Sequence, residues 1–476
     1  MPQQVLNFFP ETISVDKPRR PEAVARTNGK ANKLDSLDRA AHDWYRFVLS
    51  YPPHLVRQYL DEFGLKSTDT VLDPFCGTGT TLVEAQKLGI RGMGLEVNPF
   101  AHSASTVKLD WRLDASTLKA CSEAVAQKVL RKLRRQGIHD DAFFARNADD
   151  LVLRGLNEEA AKLILANSIS PLPLHKTLVL LDVLREAEHE PFYRHARLAL
   201  ANALVYKISN LHFGPEVGVG KPKVDVAVVA AWQAEIQKIG ADLVLLRDPK
   251  GATSEVFNAD ARRIGEYVKP GTIAAVITSP PYPNEKDYTR TTRLESVLLG
   301  FIRSKDELRS LKKGFVRSNT RGVYKDDDDD RWVSDHPEIN RIADAIEARR
   351  KALGKTSGFE RMYARVAKLY FGGMARHLAE LRPLLKPGAQ LAYVVGDQAS
   401  YLRVMIRTGE LLADIAQGMG YRLKRIDLFR TRLATASREQ LREEVVVLEW
   451  PGTKKRYRLV RPDELSAQEM LAYQGR

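Results

Sequence analysis

The feature that most constrains the fold of this chain is a strand, a glycine-marked turn and a helix, followed at once by a second strand. Residues 70–73 form a short apolar run, and two glycines lie within 77–79. Residues 80–88 have helical spacing, and 91–96 read as the next strand. Two strands joined through a helix lie parallel and need helices to cover the sheet. The pattern therefore predicts an α/β fold with a doubly wound, Rossmann-like sheet.

The rest of the chain extends this pattern and interrupts it once. Further strands are predicted at 256–260, 272–278, 390–395, 421–429 and 444–450. Between them lies a long stretch that is mostly helical in its spacing. We predict a flexible N-terminal arm at 1–37 and a C-terminal tail at 456–476. Between them, a discontinuous sheet domain covers 38–111 and 251–455 and includes a polar loop insertion at 303–357. A mainly helical insert at 112–250 separates the two parts of this domain and is a candidate target-recognition region.

Composition limits the class of protein. The 476 residues carry a net charge of +14, which favours a polyanionic partner. Only two cysteines, Cys76 and Cys121, are present, so a disulfide scaffold or a four-cysteine zinc site is not expected. Neither a secretory signal nor an apolar run long enough to span a bilayer is evident, so we expect no membrane association and a cytoplasmic location.

The glycine-marked turn has the features of a nucleoside site. Gly77 and Gly79 let the backbone turn sharply beneath a ligand, and Glu96 ends the next strand where it can accept hydrogen bonds from ribose hydroxyls. A dinucleotide site would have glycine where Leu82 stands, and the Gly-Lys-Ser/Thr of a phosphate loop is absent. Asp73 and Glu96 suit a cationic nucleoside without phosphates, such as S-adenosylmethionine.

A second motif, Ser279-Pro-Pro-Tyr282, directly follows a predicted strand. Ligands of open α/β sheets bind at the carboxyl ends of strands. The two prolines stiffen the backbone, and Tyr282 supplies a flat face on which a base can stack. Ser279 Oγ and the Pro280 carbonyl are candidate acceptors for the hydrogens of an exocyclic amine. Such acceptors direct the nitrogen lone pair towards a methyl donor.

Both motifs together resemble those of the amino-methylating DNA methyltransferases. The resemblance rests on Asp73-Pro-Phe-Cys-Gly-Thr-Gly-Thr-Thr81 and on Ser279-Pro-Pro-Tyr282. It implies an S-adenosylmethionine-dependent methyltransferase that acts on double-stranded DNA, with a cognate restriction endonuclease as a further expected partner. The cofactor-binding residues that follow are Tyr51, Asp73, Pro74, Phe75, Gly77, Gly79, Thr80, Glu96 and Asp260. The catalytic residues that follow are Ser279, Pro280, Pro281 and Tyr282, and no metal is expected.

Serine at the first position of the second motif is typical of cytosine-N4 enzymes, whereas aspartate is commoner in adenine-N6 enzymes. The resemblance therefore favours N4-cytosine. Three alternatives stay open, namely adenine-N6 methylation of DNA, base methylation of RNA or tRNA, and a non-catalytic DNA-binding regulator with the same fold. The sequence order, with the cofactor motif first, is the reverse of that in many cytosine-N4 enzymes.

Several weaker candidates lie near the predicted pocket. Asp287 and Tyr288 are candidates for contact with the base and Arg290 for contact with a phosphate, although a solvated loop would explain these residues equally well. Asp397 follows a strand beside the presumed pocket. Arg317 and the pair Arg430 and Arg432 are candidates for contact with DNA, while the acidic run 326–330 is interpreted as a solvated loop. We interpret Cys76 as a small buried side chain.

Overall fold

A computed structural model gives the architecture of the chain. It describes residues 34–35, 38–45, 47, 50–140, 151–213, 217–246, 252–284, 286–433 and 440–452. The predicted C-terminal tail and most of the predicted N-terminal arm lie outside these residues. The chain forms two compact units. Within the described residues, the first unit comprises 32–279 and 287–315, and the second comprises 280–286 and 316–452.

The first unit contains four parallel strands in the order β5-β2-β1-β6. Their bounds are β1, Thr70–Asp73; β2, Arg91–Leu95; β5, Glu255–Phe257; and β6, Ile273–Thr278. The central strand β1 is apolar and buried apart from its first residue, as expected for a parallel strand that is covered on both faces. Because parallel strands share a direction, β1, β2 and β6 all end at one edge of the sheet, which is where the two motifs begin.

Ten α-helices, a few short helical turns and a short antiparallel pair of strands complete the described part of the first unit. The helices are α1, Pro53–Glu62; α2, Thr80–Lys87; α3, Pro99–Lys108; α4, Ala115–Arg135; α5, Glu158–Leu163; α6, Pro171–Arg185; α7, Tyr193–Ala203; α8, Val228–Leu245; α9, Arg293–Leu298; and α10, Lys305–Gly314. The strand pair is β3, Leu211–Phe213, with β4, Val217–Val219.

Local chemistry explains where several of these helices begin. Pro53 is the first residue of α1, where its missing N–H costs no hydrogen bond. Asn98 and Asp114 accept backbone N–H groups at the starts of α3 and α4. Helices α4, α6, α7 and α8 share one apolar core that includes Leu133, Leu180 and the fully buried Trp232. Burial of such side chains contributes about 1.5–3 kcal/mol each.

The second unit contains three antiparallel strands in the order β7-β9-β8. They are β7, Leu385–Gly396; β8, Arg422–Leu433; and β9, Gln440–Trp450. The helices are α11, Pro337–Ala352; α12, Gly358–Leu381; and α13, Thr408–Gly418. The middle strand β9 is continuously buried from Glu443 to Leu448, whereas residues 422–432 of β8 are half-buried or exposed.

The predicted Rossmann-like α/β fold class is confirmed. Some details differ from the expectation. The segment 303–357 is not a polar loop throughout, because it contains α10 and α11. The predicted strand 256–260 ends at Phe257, since Asp260 instead begins a short 3-10 helix. Across the described ranges, no helix is long and apolar enough to cross a membrane.

Candidate active site

The turn between β1 and α2 has the backbone geometry that its glycines predict. Gly77 has a φ of 52° and Gly79 a φ of 87°, values that side chains disfavour. Gly79 also approaches α3 closely, because an added Cβ would lie 3.0 Å from the Ser105 Cβ. Gly77 is different, since an added Cβ would meet no atom within 4 Å. Open space therefore lies beside Gly77. Thr80, the first residue of α2, is buried.

Asp73 is the most heavily engaged residue of this turn. It is fully buried at the end of β1. Its carboxylate accepts hydrogen bonds from Thr278 Oγ1 at 2.6 Å, from Tyr51 OH at 2.9 Å and from the Phe75 N–H at 3.2 Å. Burial raises the pKa of Asp73 to about 6, although these hydrogen bonds act to lower it. Pro74 is buried beside it. Asp73 thus has a negative charge near neutral pH that neutral donors hold in place.

Glu96 lies just beyond the end of β2 and connects back to the turn. Its carboxylate accepts the Gly77 N–H at 2.9 Å and the Asn98 N–H at 2.7 Å. Desolvation raises the pKa of Glu96 to about 7, and the two backbone hydrogen bonds oppose this effect. One carboxylate at each of two neighbouring strand ends, beside open space, fits a cationic nucleoside that presents ribose hydroxyls. No group of three or more potential metal-ligating side chains occurs in the part of the chain that the structure describes.

Asp260 and Cys76 have well-defined structural contacts. The Asp260 carboxylate accepts hydrogen bonds from Nη2 and Nε of Arg262, at 2.7 and 3.0 Å, and from the Arg262 backbone N–H. The role of Asp260 with the adenine ring stays a prediction. Cys76 is buried and packs against Gly94, where an added Cβ would lie 3.0 Å from its sulfur. The interpretation of Cys76 as a small buried side chain is therefore confirmed.

The second motif begins where β6 ends, and one hydrogen bond fixes that strand end to the first motif. Thr278, the last residue of β6, makes the 2.6 Å bond to Asp73 and is immediately followed by Ser279. Thr81 reinforces the connection, since its Oγ1 donates to the Ile277 carbonyl at 3.1 Å and also contacts Tyr51 OH. The start of the second motif is thus held directly beside the residue that ends β1.

Tyr282 belongs to the second unit, where its ring packs at the end of β7. A Cβ added to Gly396 would lie 3.1 Å from Tyr282 Cε2 and 3.3 Å from Glu443 Cγ. Glycine allows this close approach, because a Cβ at position 396 would require the ring or Glu443 to shift by a few tenths of an ångström. The half-buried Tyr282 therefore has a defined backing at Gly396, with Glu443 beside it.

Hydrogen bonds to Asp287 and to nearby backbone carbonyls stabilise the turn after the second motif. Asp287 accepts hydrogen bonds from Thr289 Oγ1 and from Lys312 Nζ, both at 2.6 Å. Burial acts to raise the pKa of Asp287, but the charge of Lys312 and these hydrogen bonds hold it below its usual value. The carbonyls of Asp287 and Tyr288 accept from the Arg290 N–H and from Thr291 Oγ1. Contacts of Asp287, Tyr288 and Arg290 with substrate stay predictions.

Two of the weaker sequence interpretations change. Arg317 is only 4% exposed and forms two hydrogen bonds to Asp327, at 2.8 and 2.6 Å, so it does not offer an open surface to DNA. The acidic run is only partly a solvated loop, because Asp327 binds Arg317 and the buried Asp329 pairs with Arg376 at 3.3 Å. These carboxylates stabilise the second unit internally.

Sequence reasoning overlooked Thr278, Thr81 and Gly396. A signal existed for Thr278, since a polar residue follows the apolar run of β6 and directly precedes Ser279. Gly396 is the last residue of a strand, and a glycine in a strand often marks a place where another group approaches closely. Neither signal identifies the partner, because that depends on which distant segments the fold brings together.

We expect Glu96→Gln to weaken cofactor binding about tenfold at pH 8, as expected for the loss of one hydrogen bond to a charged group. The pKa of Glu96 is raised to about 7, so protonation below that pH removes the same charge from the wild-type protein. Wild-type affinity should therefore fall between pH 8 and pH 6. That of the variant should fall less, because only Asp73, with a pKa of about 6, still titrates there. Titration calorimetry at both pH values tests this.

Glu255→Gln is the matched control, since Glu255 is an exposed carboxylate on the neighbouring strand β5 that pairs with Arg91 at 3.4 Å. It should leave affinity and its pH dependence unchanged. Equal cofactor affinity for wild type and Glu96→Gln at pH 8 would remove Glu96 from the site.

The sequence of this chain is similar to those of several known proteins. Residues 24–107 match the family model described as DNA methylase, N6_N4_Mtase. The chain is 25% identical over 462 residues to the Type II methyltransferase M.BsoBI of Geobacillus stearothermophilus, covering 89% of this chain and 87% of that protein. It is 24% identical to M.AvaI of Nostoc sp. PCC 7120, covering 92% and 91%.

A shorter match is to a protein that is named as a tRNA methyltransferase. The tRNA (guanine(10)-N2)-dimethyltransferase of Methanothermobacter thermautotrophicus is 32% identical over 104 residues. That match covers 22% of this chain and 24% of that protein. The two long matches therefore extend over nearly the whole chain, and the tRNA enzyme shares only a part of it.

Proposed function

We infer, from the match of residues 24–107 to the DNA methylase family model and from the long matches to two Type II methyltransferases, that this chain is an amino-methylating DNA methyltransferase. We propose that it methylates the exocyclic N4 amine of cytosine in double-stranded DNA. Methyltransferase activity with S-adenosylmethionine as the methyl donor follows from the family. The base, the site residues and the biological partner are our proposal. We further propose that it is the modification enzyme of a cytoplasmic restriction-modification system, with a cognate endonuclease as its counterpart.

One observation carries the proposal, namely the 2.6 Å hydrogen bond from Thr278 Oγ1 to the Asp73 carboxylate. It joins the turn expected to hold the methyl donor to the residue just before the expected amine acceptor, Ser279. Orientation of two bound reactants supplies much of the rate in such a transfer. A hydrogen bond between the first motif and the strand end at which the second motif begins supports that mode of catalysis.

Different residues of the chain would bind the methyl donor, orient the amine and stack on the base. Asp73 and Glu96 would bind the methyl donor, whose sulfonium supplies the transferable methyl group. Ser279 Oγ and the Pro280 carbonyl would accept hydrogen bonds from the amine and direct its lone pair. Tyr282, backed by Gly396, would stack on a base flipped out of the duplex. The serine at position 279 is the feature that favours cytosine N4 over adenine N6.

Base methylation of RNA is the second candidate, favoured by the short match to the tRNA dimethyltransferase. The much longer matches to two Type II methyltransferases weigh against it. A non-catalytic regulator is the third candidate, and the presence of both complete motifs weighs against it.

A single experiment separates these candidates. Purified protein is incubated with labelled S-adenosylmethionine and either unmethylated genomic DNA or bulk tRNA, and the labelled nucleoside is identified by mass spectrometry. We expect N4-methylcytosine from DNA. N6-methyladenine would overturn the choice of base, label in tRNA alone would overturn the choice of nucleic acid, and no label in either would favour the regulator.

A further inference from the structure

A cluster of three arginines lies at the end of β7 in the second unit. We call Arg407, Arg430 and Arg432 the arginine cluster. Arg407 Nη1 donates to Asp397 Oδ2 at 3.0 Å, and Arg430 Nε donates to Glu443 Oε2 at 2.5 Å. Arg432 lies between them, with its Nε 3.5 Å from Glu443 Oε1 and its Nη2 donating to the Asp397 carbonyl at 3.2 Å.

The exposure of these groups is asymmetric. The Asp397 and Glu443 side chains are only 1% and 11% exposed, whereas those of Arg407, Arg430 and Arg432 are 42%, 30% and 35% exposed. Each guanidinium has five N–H donors, and the contacts above use only one or two of them. The buried carboxylates therefore fix the arginine orientations, while part of each guanidinium still faces solvent.

The case for a ligand rests on the unused donors of the cluster. Beside it, Arg442 pairs with the buried Glu444 at 2.8 Å, so neighbouring ion pairs balance the charges of this region. The three guanidinium groups nevertheless keep N–H donors that the contacts above do not use. Oriented, half-exposed guanidinium groups with such donors suit an anionic ligand with several oxygens.

The cluster adjoins the proposed base-stacking residue. Gly396 precedes Asp397, and the contacts around a Cβ added to Gly396 are Tyr282 at 3.1 Å and Glu443 at 3.3 Å. Glu443, which holds Arg430, thus packs beside the same glycine as the Tyr282 ring. An anion bound by the arginine cluster would lie close to a base that stacks on Tyr282.

We propose that the arginine cluster binds backbone phosphates of the DNA strand beside the flipped nucleotide. This rests on the proposed function, because the anion is assigned as a DNA phosphate on the strength of that function. Flipping rotates the target nucleotide out of the helix, and its flanking phosphates must be held while it is out. Phosphate contacts position DNA without reading its sequence, so the cluster should act on all sequences alike.

The test compares Arg430→Gln with the control Arg422→Gln. Arg422 lies near the other end of the same strand β8, pairs with Glu449 at 2.7 Å and is 60% exposed. Binding is measured by fluorescence anisotropy over a series of salt concentrations, with a labelled duplex that the wild-type protein methylates. We expect Arg430→Gln to reduce the slope of log affinity against log salt by about 1. Arg422→Gln should retain the wild-type slope.

A second variant removes the concern that an uncompensated Glu443 disturbs the fold. Arg430→Gln with Glu443→Gln takes away both charges of the pair. It should show the same reduced slope while binding S-adenosylmethionine as the wild type does. A wild-type slope in both Arg430 variants would overturn the proposal. The same holds if Arg422→Gln reduces the slope as much as Arg430→Gln does.

Failure of the proposed function has a separate signature. If the wild-type protein methylates tRNA and binds no duplex, both the assignment to DNA and the phosphate proposal are wrong. If the wild-type protein methylates and binds the duplex but Arg430→Gln behaves like it, only the arginine cluster is wrongly assigned. The wild-type measurement thus separates the two cases.

Discussion

Replacing Ser279 by alanine is expected to lower the turnover number about a hundredfold, a loss of the size seen when one oriented polar group is removed from a reaction centre. The amine of a base is a weak nucleophile because its lone pair is delocalised into the ring. Removal of an acceptor leaves that lone pair less well directed at the methyl group. Cofactor affinity should stay near the wild-type value. Steady-state kinetics with DNA and titration calorimetry with S-adenosylmethionine measure the two quantities.

Ser279→Asn gives the matching rescue, since the asparagine side chain also offers an acceptor oxygen. This variant should recover part of the turnover that Ser279→Ala loses. A general disturbance of the fold would make the larger asparagine at least as harmful as alanine. Wild-type turnover in Ser279→Ala would show that position 279 does not orient the amine.

The second large effect is expected for Asp73→Asn, which should impair both cofactor binding and turnover. The Asp73 carboxylate accepts three hydrogen bonds, from Thr278, Tyr51 and the Phe75 N–H. An amide has only one acceptor oxygen, so at least one buried donor loses its partner, at a cost of about 1–3 kcal/mol. We expect cofactor affinity to fall at least tenfold, and turnover at saturating cofactor to fall as well.

Thr278→Val separates the two parts of this effect. It removes the bond between β6 and Asp73 while retaining the carboxylate, so turnover should fall with little change in cofactor affinity. The pH dependence adds a second test. Because the pKa of Asp73 is raised to about 6, wild-type cofactor affinity should decline as the pH falls through that value. Asp73→Asn keeps the decline near pH 7 that comes from Glu96, but it should lack the further decline near pH 6. Identical pH profiles for the two proteins would contradict the role of Asp73.

These predictions combine information of two kinds. The turn at Gly77 and Gly79 was predictable because glycines at that spacing between a strand and a helix specify a local backbone shape. The position of Ser279-Pro-Pro-Tyr282 directly after a strand was also predictable, because an apolar run precedes it in the sequence. The bond between Thr278 and Asp73 was not, since it depends on β6 pairing with β1 across a long insertion. Nothing in the local sequence of either strand specifies that register.

The elements that were missed have physical explanations. Helix α10 has no fully buried residue and only two apolar side chains, Leu308 and Leu311, so its sequence is too polar to be recognised as a helix although one face is apolar. The acidic run was interpreted as solvated because charged residues are seldom buried. Asp327 and Asp329 are exceptions, since Arg317 and Arg376 compensate their charges. Arginine partners that are distant in sequence cannot be assigned before the fold is known.

The packing of Tyr282 against Gly396 has a consequence for how related sequences diverge. A Cβ at position 396 would lie 3.1 Å from the tyrosine ring, so the ring would have to shift by a few tenths of an ångström. A lineage that acquired alanine or serine there would favour a residue at position 282 that tolerates this shift. Substitutions at these two positions, which are far apart in the chain, should therefore occur together rather than independently. Such paired substitutions would reflect the shape of the base-stacking surface.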